Sequence, residues 1–250
     1  MNKAFYTGAS GLRAYQTNID IIGHNVVNSS TVGYKATVPE FRELINNNMD
    51  VNINREREED NKIKEGNGVR MWNDDLNFNQ GNFQTTEYPL DFLIAGDGLF
   101  AIQDDAGAIE YTRNGSFDVS IEGQNAFLVN SDGKYVLDQN YQKIQLDYVE
   151  NSNVINVETI MPRLGVFSFT NPNGLIRTDG GSFRVSENSG EPQAANRGDY
   201  TLYQGSLESS NVQLSQEMTN LIIAQKAYQF SAKVVTTADE IEQLVNSLRG

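Results

Sequence analysis

The stretch "GASGLRAYQTNIDIIGHNVVNSSTVGYK", residues 8–35, decides how the chain is read, because a regular helical pattern is ended abruptly by a polar turn. Apolar or small residues recur in steps of four and three at Met1, Phe5, Gly8, Leu12, Tyr15, Ile19, Ile22 and Val26. That spacing makes a heptad seam of about four repeats on one face of a helix. Lys3, Arg13, Gln16, Thr17 and Asp20 lie off the seam. Gly8, Gly11 and Gly23 each cost about 1 kcal/mol against Ala in a helix interior, so the helix is expected to be marginal by itself. Asn28, Ser29 and Ser30 bond to backbone more readily outside a helix than within one, and Gly33 relaxes the turn, so the helix stops there.

The other end of the chain repeats the theme. Leu214, Leu221, Tyr228 and Val235 stand seven apart, interleaved by Met218, Ala224, Ser231 and Ala238. Ser210 with Gln213 predicts a capping box, with Ser215 as the alternative cap, and no Pro or Gly follows before Leu248. At a rise of about 1.5 Å per residue the two helices are roughly 40 and 50 Å long. A hairpin of the two satisfies one face of each. Ile22, Val26 and Val27, and likewise Leu221, Ile222 and Ile223, spread apolar side chains well around the cylinders, which asks for neighbours from other copies.

Between the helices the character changes. Residues 34–57 read as extended pieces with a short helix over Glu40–Asn47, and "REREEDNK", residues 55–62, reads as a solvated charged loop. From residue 82 onward, short β-branched or aromatic runs are separated by Gly, Asn and Asp; Asn114-Gly115 and Asp132-Gly133 predict hairpin turns. About seven to ten short antiparallel strands are expected there. The fold class is therefore α+β. A discontinuous helical coiled-coil domain takes residues 1–33 with 206–250, an arm takes 34–81 and a central antiparallel β domain takes 82–205.

Composition excludes several chemistries. A net charge of −14 argues against a phosphate-backbone partner, so no nucleic acid is expected. With no cysteine and the single His24, thiolate zinc sites and Cys-His or Ser-His-Asp catalysis lack material. Asp91, Asp97, Asp104, Asp105 and Asp118 read as turn formers and solubilisers rather than an acid–base pair. "GDGLFA", residues 96–101, matches a dinucleotide fingerprint formally, but a strand follows it instead of a helix; "NSDGK", residues 130–134, offers too few oxygens for a calcium loop. No catalytic residue, metal or cofactor is expected. No run of about 18 apolar residues exists for membrane insertion, and polar residues interrupt the first twenty, so export would leave the N-terminus uncut.

Three blocks carry a resemblance to a known family. The opening stretch holds Asn25, Asn28, Ser30, Thr31, Gly33, Tyr34 and Lys35; the centre holds "DFLIAGDGLFAI", "YTRNGSFDV" and "LVNSDGKYVL"; the end is "YQGSLESSNVQLSQEMTNLIIAQKAYQFSAKVVTTADEIEQLVNSL". In this order they resemble the bacterial flagellar rod and hook proteins, most closely the rod proteins of the basal body. Residues 51–70 and 139–196 do not share in the likeness, and 250 residues favour a rod subunit over a longer hook protein. The resemblance implies a structural subunit of the basal body. It would be exported unfolded by the flagellar type III apparatus, with no cleaved signal, and join other copies and other rod and hook proteins in a helical tube that carries torque from motor to hook. Phe5, Leu12, Ile19, Val26, Leu214, Leu221, Tyr228 and Val235 are the expected assembly contacts. A hook-type axial protein is the alternative within that class. A secreted glycan-binding or glycan-cleaving β domain on a helical stalk is the alternative outside it. If the rod reading holds, "NSSTVGYK", residues 28–35, and "QGSLESSN", residues 204–211, should meet in the folded subunit.

Overall fold

A computed structural model describes residues 3–44, 47–48, 64–123, 125–146 and 156–248. Met1 of the seam and the charged run 55–62 lie outside the described residues. The chain forms two compact units: Met1–Val27, Thr37–Asp75 and Gln213–Gly250 make one, and Asn28–Ala36 with Leu76–Val212 make the other.

The first unit is built on two helices, α1 (Lys3–Val27) and α2 (Leu214–Ser247). They run antiparallel. A Cβ placed on Gly8 would stand 2.8 Å from Val235 Cγ2 and 3.3 Å from the Ser231 carbonyl oxygen, whereas at the other end Asn25 Nδ2 donates to Glu217 Oε1 at 3.2 Å. Gly8 and Gly11, two of the three glycines that weaken α1 as an isolated helix, thus let the two backbones approach closely. Neither expected cap forms at α2. Gln213 is the N-cap and makes no side-chain cap bond, while the Ser210 hydroxyl accepts the Val212 N–H at 3.3 Å and Ser215 lies inside the helix.

Strands Thr37–Glu43 and Val69–Leu76 pair as a two-stranded ribbon in this unit, and Asn47–Asn48 pairs with Lys64–Glu65. The helix expected over Glu40–Asn47 is therefore replaced by strand as far as Glu43. The physical reason is tertiary: Phe41 favours strand, and Val69–Leu76 is at hand as a pairing partner, which outweighs the weak local helical pattern after Pro39.

The second unit holds fourteen strands among its described residues, more than the seven to ten expected, since two-residue ladders such as Ile176–Arg177 leave no period-two signature. Strand Leu99–Gln103 is central, pairing antiparallel with Ile109–Thr112, Tyr135–Val136 and Val166–Ser168. Phe92–Gly96 pairs with Tyr200–Gln204, and Phe83–Thr85 with Ser206–Glu208. Phe92, Phe100 and Phe117 cluster in the main core, Phe92 tilted against Phe117 with ring centroids 6.2 Å apart and Phe100 edge-on to it at 5.2 Å. Asp132-Gly133 makes a hairpin, with Val129 opposite Tyr135. Asn114-Gly115 does not: the strands on either side of it pair elsewhere, because Phe92 N–H bonds the Gly115 carbonyl at 2.9 Å and draws the chain across to a different ladder. "GDG" is a turn between strands Phe92–Gly96 and Leu99–Gln103, and no helix follows it.

Candidate assembly surface and a buried ionic clamp

On the two helices, the residues sealed from solvent are, apart from Ile22, small or polar: Gly8, Gly11, Ala14 and Asn25 on α1, and Ala224 and Ala238 on α2. Of the eight apolar positions expected to form contacts, Leu12, Ile19, Val26, Leu221 and Val235 are half-buried, while Phe5, Leu214 and Tyr228 stay exposed. Val235 meets α1 at Gly8. Much of the apolar surface remains outside this pairing: Met218, Ile222, Ile223, Phe230, Ile241, Leu244 and Val245 are each more than half accessible. Asn25 reads the ribbon backbone instead, its Oδ1 accepting the Thr37 N–H at 3.0 Å and its Nδ2 donating to the Thr37 carbonyl at 2.9 Å. Burial raises the carboxyl of its other partner, Glu217, and the Asn25 donation opposes that rise in part.

The turn after α1 is part of the β unit and is pinned there by charge. Glu208, 2% exposed, accepts from Lys35 Nζ at 2.6 Å and the Gly81 N–H at 2.7 Å through Oε1, and from Arg113 Nε at 2.5 Å through Oε2. Lys35 is 1% exposed and also donates to the carbonyls of Asn79 at 3.0 Å and Phe78 at 3.4 Å. The Arg113 guanidinium reaches the carbonyls of Ile94 at 2.8 Å, Gly96 at 2.7 Å and Gly98. Asn211 completes the network: it takes the Ala36 N–H at 2.8 Å and donates to the carbonyls of Asn77 at 2.7 Å and Asn79 at 2.9 Å. Every cation in the cluster is thus matched by a carboxylate or by carbonyl oxygens, as burial demands.

Residues of the opening motif have distinct places here. Asn28 takes the Thr31 N–H through its carbonyl and the Thr31 hydroxyl through its side chain, each at 3.1 Å, while Ser30 and Thr31 face solvent. Gly33 has φ +68 and donates its N–H to the Glu208 carbonyl at 2.8 Å; a Cβ there would fall 2.6 Å from the Asn114 nitrogen. Tyr34 lies under the Arg177 guanidinium at 4.6 Å from its ring centroid. The segments 28–35 and 204–211 do meet, through Gly33 and Lys35 on one side and Glu208 on the other. Burial pulls the Lys35 ammonium below its ordinary value, and Glu208 opposes this without cancelling it. Burial alone would raise Glu208; Arg113 and then Lys35 outweigh it, so the carboxyl titrates below its ordinary 4.5.

Sequence reading singled out Lys35 but missed Glu208, Arg113 and Asn211. The available signal was one ionisable residue in each of three otherwise weakly charged motifs, "GYK", "YTRNG" and "GSLESSN". Among the described residues no group of three or more His, Cys, Asp or Glu is placed to hold a metal, and no helix is long and apolar enough to cross a membrane. Three of the aspartates considered for acid–base work make local bonds: Asp91 accepts the Thr86 hydroxyl at 2.6 Å, Asp104 the Asp105 N–H at 2.8 Å and Asp118 the Val119 N–H at 2.8 Å.

Three family models match the chain: "Flagella basal body rod protein" over residues 5–35, "Flagellar hook protein FlgE/F/G D1 domain" over 93–161, and "Flagellar basal body rod FlgEFG protein C-terminal" over 203–248. The flagellar basal-body rod protein FlgG of Bacillus subtilis (strain 168) is 32% identical, with all of both chains covered. The chain belongs to the flagellar basal-body rod protein family. The FlgG rod protein of Buchnera aphidicola subsp. Baizongia pistaciae is 31% identical over 99% of this chain and all of the relative, and the flagellar hook-basal body complex protein FlhP of Bacillus subtilis is 31% identical over the whole of both. In this rod-family chain the three matched stretches each contribute one charge to the clamp: Lys35, Arg113 and Glu208. Segments far apart in sequence thereby fix one another, and the likeness falls where the chain closes on itself.

Proposed function

We propose that the chain polymerises through α1 and α2, in coiled-coil fashion, into a helical tube of like subunits that transmits torque from motor to hook. As a member of the rod family it is a structural protein of the flagellar rod, located in the basal body, where it works with other flagellar components. The observation that carries the polymer reading is the apolar surface of α2 that pairing with α1 leaves open, from Met218 and Ile222 to Leu244. Surface of this kind on paired helices asks for further helices, and a head-to-tail contact that repeats without closing builds a filament rather than a ring. Phe5, Leu12, Ile19, Val26, Leu214, Leu221, Tyr228 and Val235 are proposed as packing positions, the exposed ones between copies and the half-buried ones partly within the pair. Asn25, Asn28, Ser30, Thr31, Gly33, Tyr34 and Lys35 serve instead to end α1 and lock the turn. The chain acts as scaffold and not as enzyme, and reaches its place through the flagellar export apparatus; the support for both is the family's character.

Replacing Leu221 and Val235 together by Asp tests this. The expected result is a folded β unit, no rod and no motility. Normal motility with intact rods in that variant contradicts the polymer reading.

A further inference from the structure

One groove in the helical unit has a chemistry that the described residues of its own subunit do not answer. It lies between α1 and the ribbon, about 510 Å³ in volume, with an apolar floor that includes Ala9, Ala14, Leu44, Val69 and Met71. Arg13 and Arg70 also line it; among the described residues neither is ion-paired. Arg70 is held in place over the Trp72 ring, 4.6 Å from its centroid, and Arg42 sits over the same ring at 4.3 Å. Arg42 is paired with Glu40 at 3.5 Å, which leaves Arg13 and Arg70 as two cations above an apolar trough in a chain of net charge −14.

The last turns of α2 have the opposite character. Gly8 faces Val235, so counting five residues back to Lys3 and five forward reaches Glu240. Residues 241–248 therefore stand beyond the described part of α1, an overhang of roughly 12 Å at about 1.5 Å per residue. Every residue from Asp239 to Leu248 is exposed, including Ile241, Leu244, Val245 and Leu248. Asp239, Glu240 and Glu242 give this tip its charge; the last turn up to Ser247 contains no base, and Arg249 follows in the sequence, so the tip is net acidic by two charges. The first turns of α2 expose apolar residues as well, but Glu217 is their sole carboxylate, so charge distinguishes the two ends.

Because α2 is one continuous helix directed away from the middle of α1, the tip does not fold back onto its own groove. We propose that the α2 tip of a second copy, residues 239–248, seats in the α1–ribbon groove, with Ile241, Leu244 and Val245 on the apolar floor and Asp239 and Glu242 against Arg13 and Arg70. It is a helix-in-groove contact with a charged rim, and its two halves lie on different parts of the subunit, so it is heterologous and propagates. The inference rests on the polymer reading above and specifies one of its contacts.

The absence of cysteine permits a direct test. Full-length Ala9→Cys and Val245→Cys chains are mixed under conditions where the unmodified chain sediments as polymer, then treated with a short bis-maleimide. The expected result is a cross-linked dimer at least tenfold above that from either variant alone. Arg13→Glu with Arg70→Glu in the first chain abolishes it, as does Asp239→Lys with Glu242→Lys in the second; combining the two charge-reversed chains restores it. Polymer that forms without the mixed cross-link, or a cross-link indifferent to both reversals, overturns the contact and leaves the polymer reading standing. An unmodified chain that never polymerises, and is absent from basal bodies, overturns both.

Discussion

Glu208→Gln is the substitution with the sharpest expected consequence for the β unit. The side chain keeps its size but loses its charge, leaving Lys35 and Arg113 buried together with no carboxylate between them. Breaking a buried pair by removing one partner costs roughly 3–5 kcal/mol, and here one residue serves two cations. With a urea m-value of about 2 kcal/mol/M, the midpoint for the β unit should fall by roughly 2 M. Lys35→Met should cost less, about 1–3 kcal/mol, because Arg113 and Glu208 remain matched one to one and the Asn79 carbonyl still accepts from Asn211. The order of the two effects is therefore the test. Trp72, the single tryptophan, belongs to the helical unit, so the β unit is followed by hydrogen exchange at amides of Leu93–Ile102. A Glu208→Gln chain within about 1 kcal/mol of the parent, or less affected than Lys35→Met, refutes the clamp as the closure of this unit.

Other outcomes follow from the same geometry. Because Glu208 titrates below its ordinary 4.5, its stabilisation is complete above that pH and is lost as pH falls through the lower folded value; acid titration of the β unit should show this slope, and Glu208→Gln should lack it. Gly23 has nothing within 4 Å of a built Cβ, so Gly23→Ala should stabilise α1 by about 1 kcal/mol in thermal melts of the helical unit. Gly8→Leu should do the reverse by roughly 1–3 kcal/mol, since even its first carbon meets Val235 at 2.8 Å. Gly33→Ala forces φ +68 on a residue with a Cβ and sets that carbon 2.6 Å from the Asn114 nitrogen; it should weaken the β unit by at least about 1–3 kcal/mol in urea melts.

The two helices were legible because their apolar spacing persists over many turns: α1 over twenty-five residues and α2 over thirty-four. The face they share was read less well. A heptad reading ranks large side chains first, whereas a Cβ added at Gly8 would fall 2.8 Å from Val235 Cγ2, so there the absence of a side chain is the informative feature. Strand "TVPEFRE" was read partly as helix because its partner lies some thirty residues on, and pairing of that range leaves no local period. The clamp was the least visible part. Lys35, Arg113 and Glu208 sit 78 and 95 residues apart along the chain, and only the fold brings their charges together. Each in isolation reads as an ordinary surface charge.

This chain is a structural subunit of the flagellar rod in the basal body. Electron microscopy of basal bodies purified from cells in which this chain carries a label at an exposed β-unit turn, such as Ala106-Gly107, tests it most directly. Label density along the rod, lost together with the rod in the Leu221→Asp, Val235→Asp chain, is the predicted result. Intact rods that carry no label, or rods that form normally when the gene is removed, would contradict it.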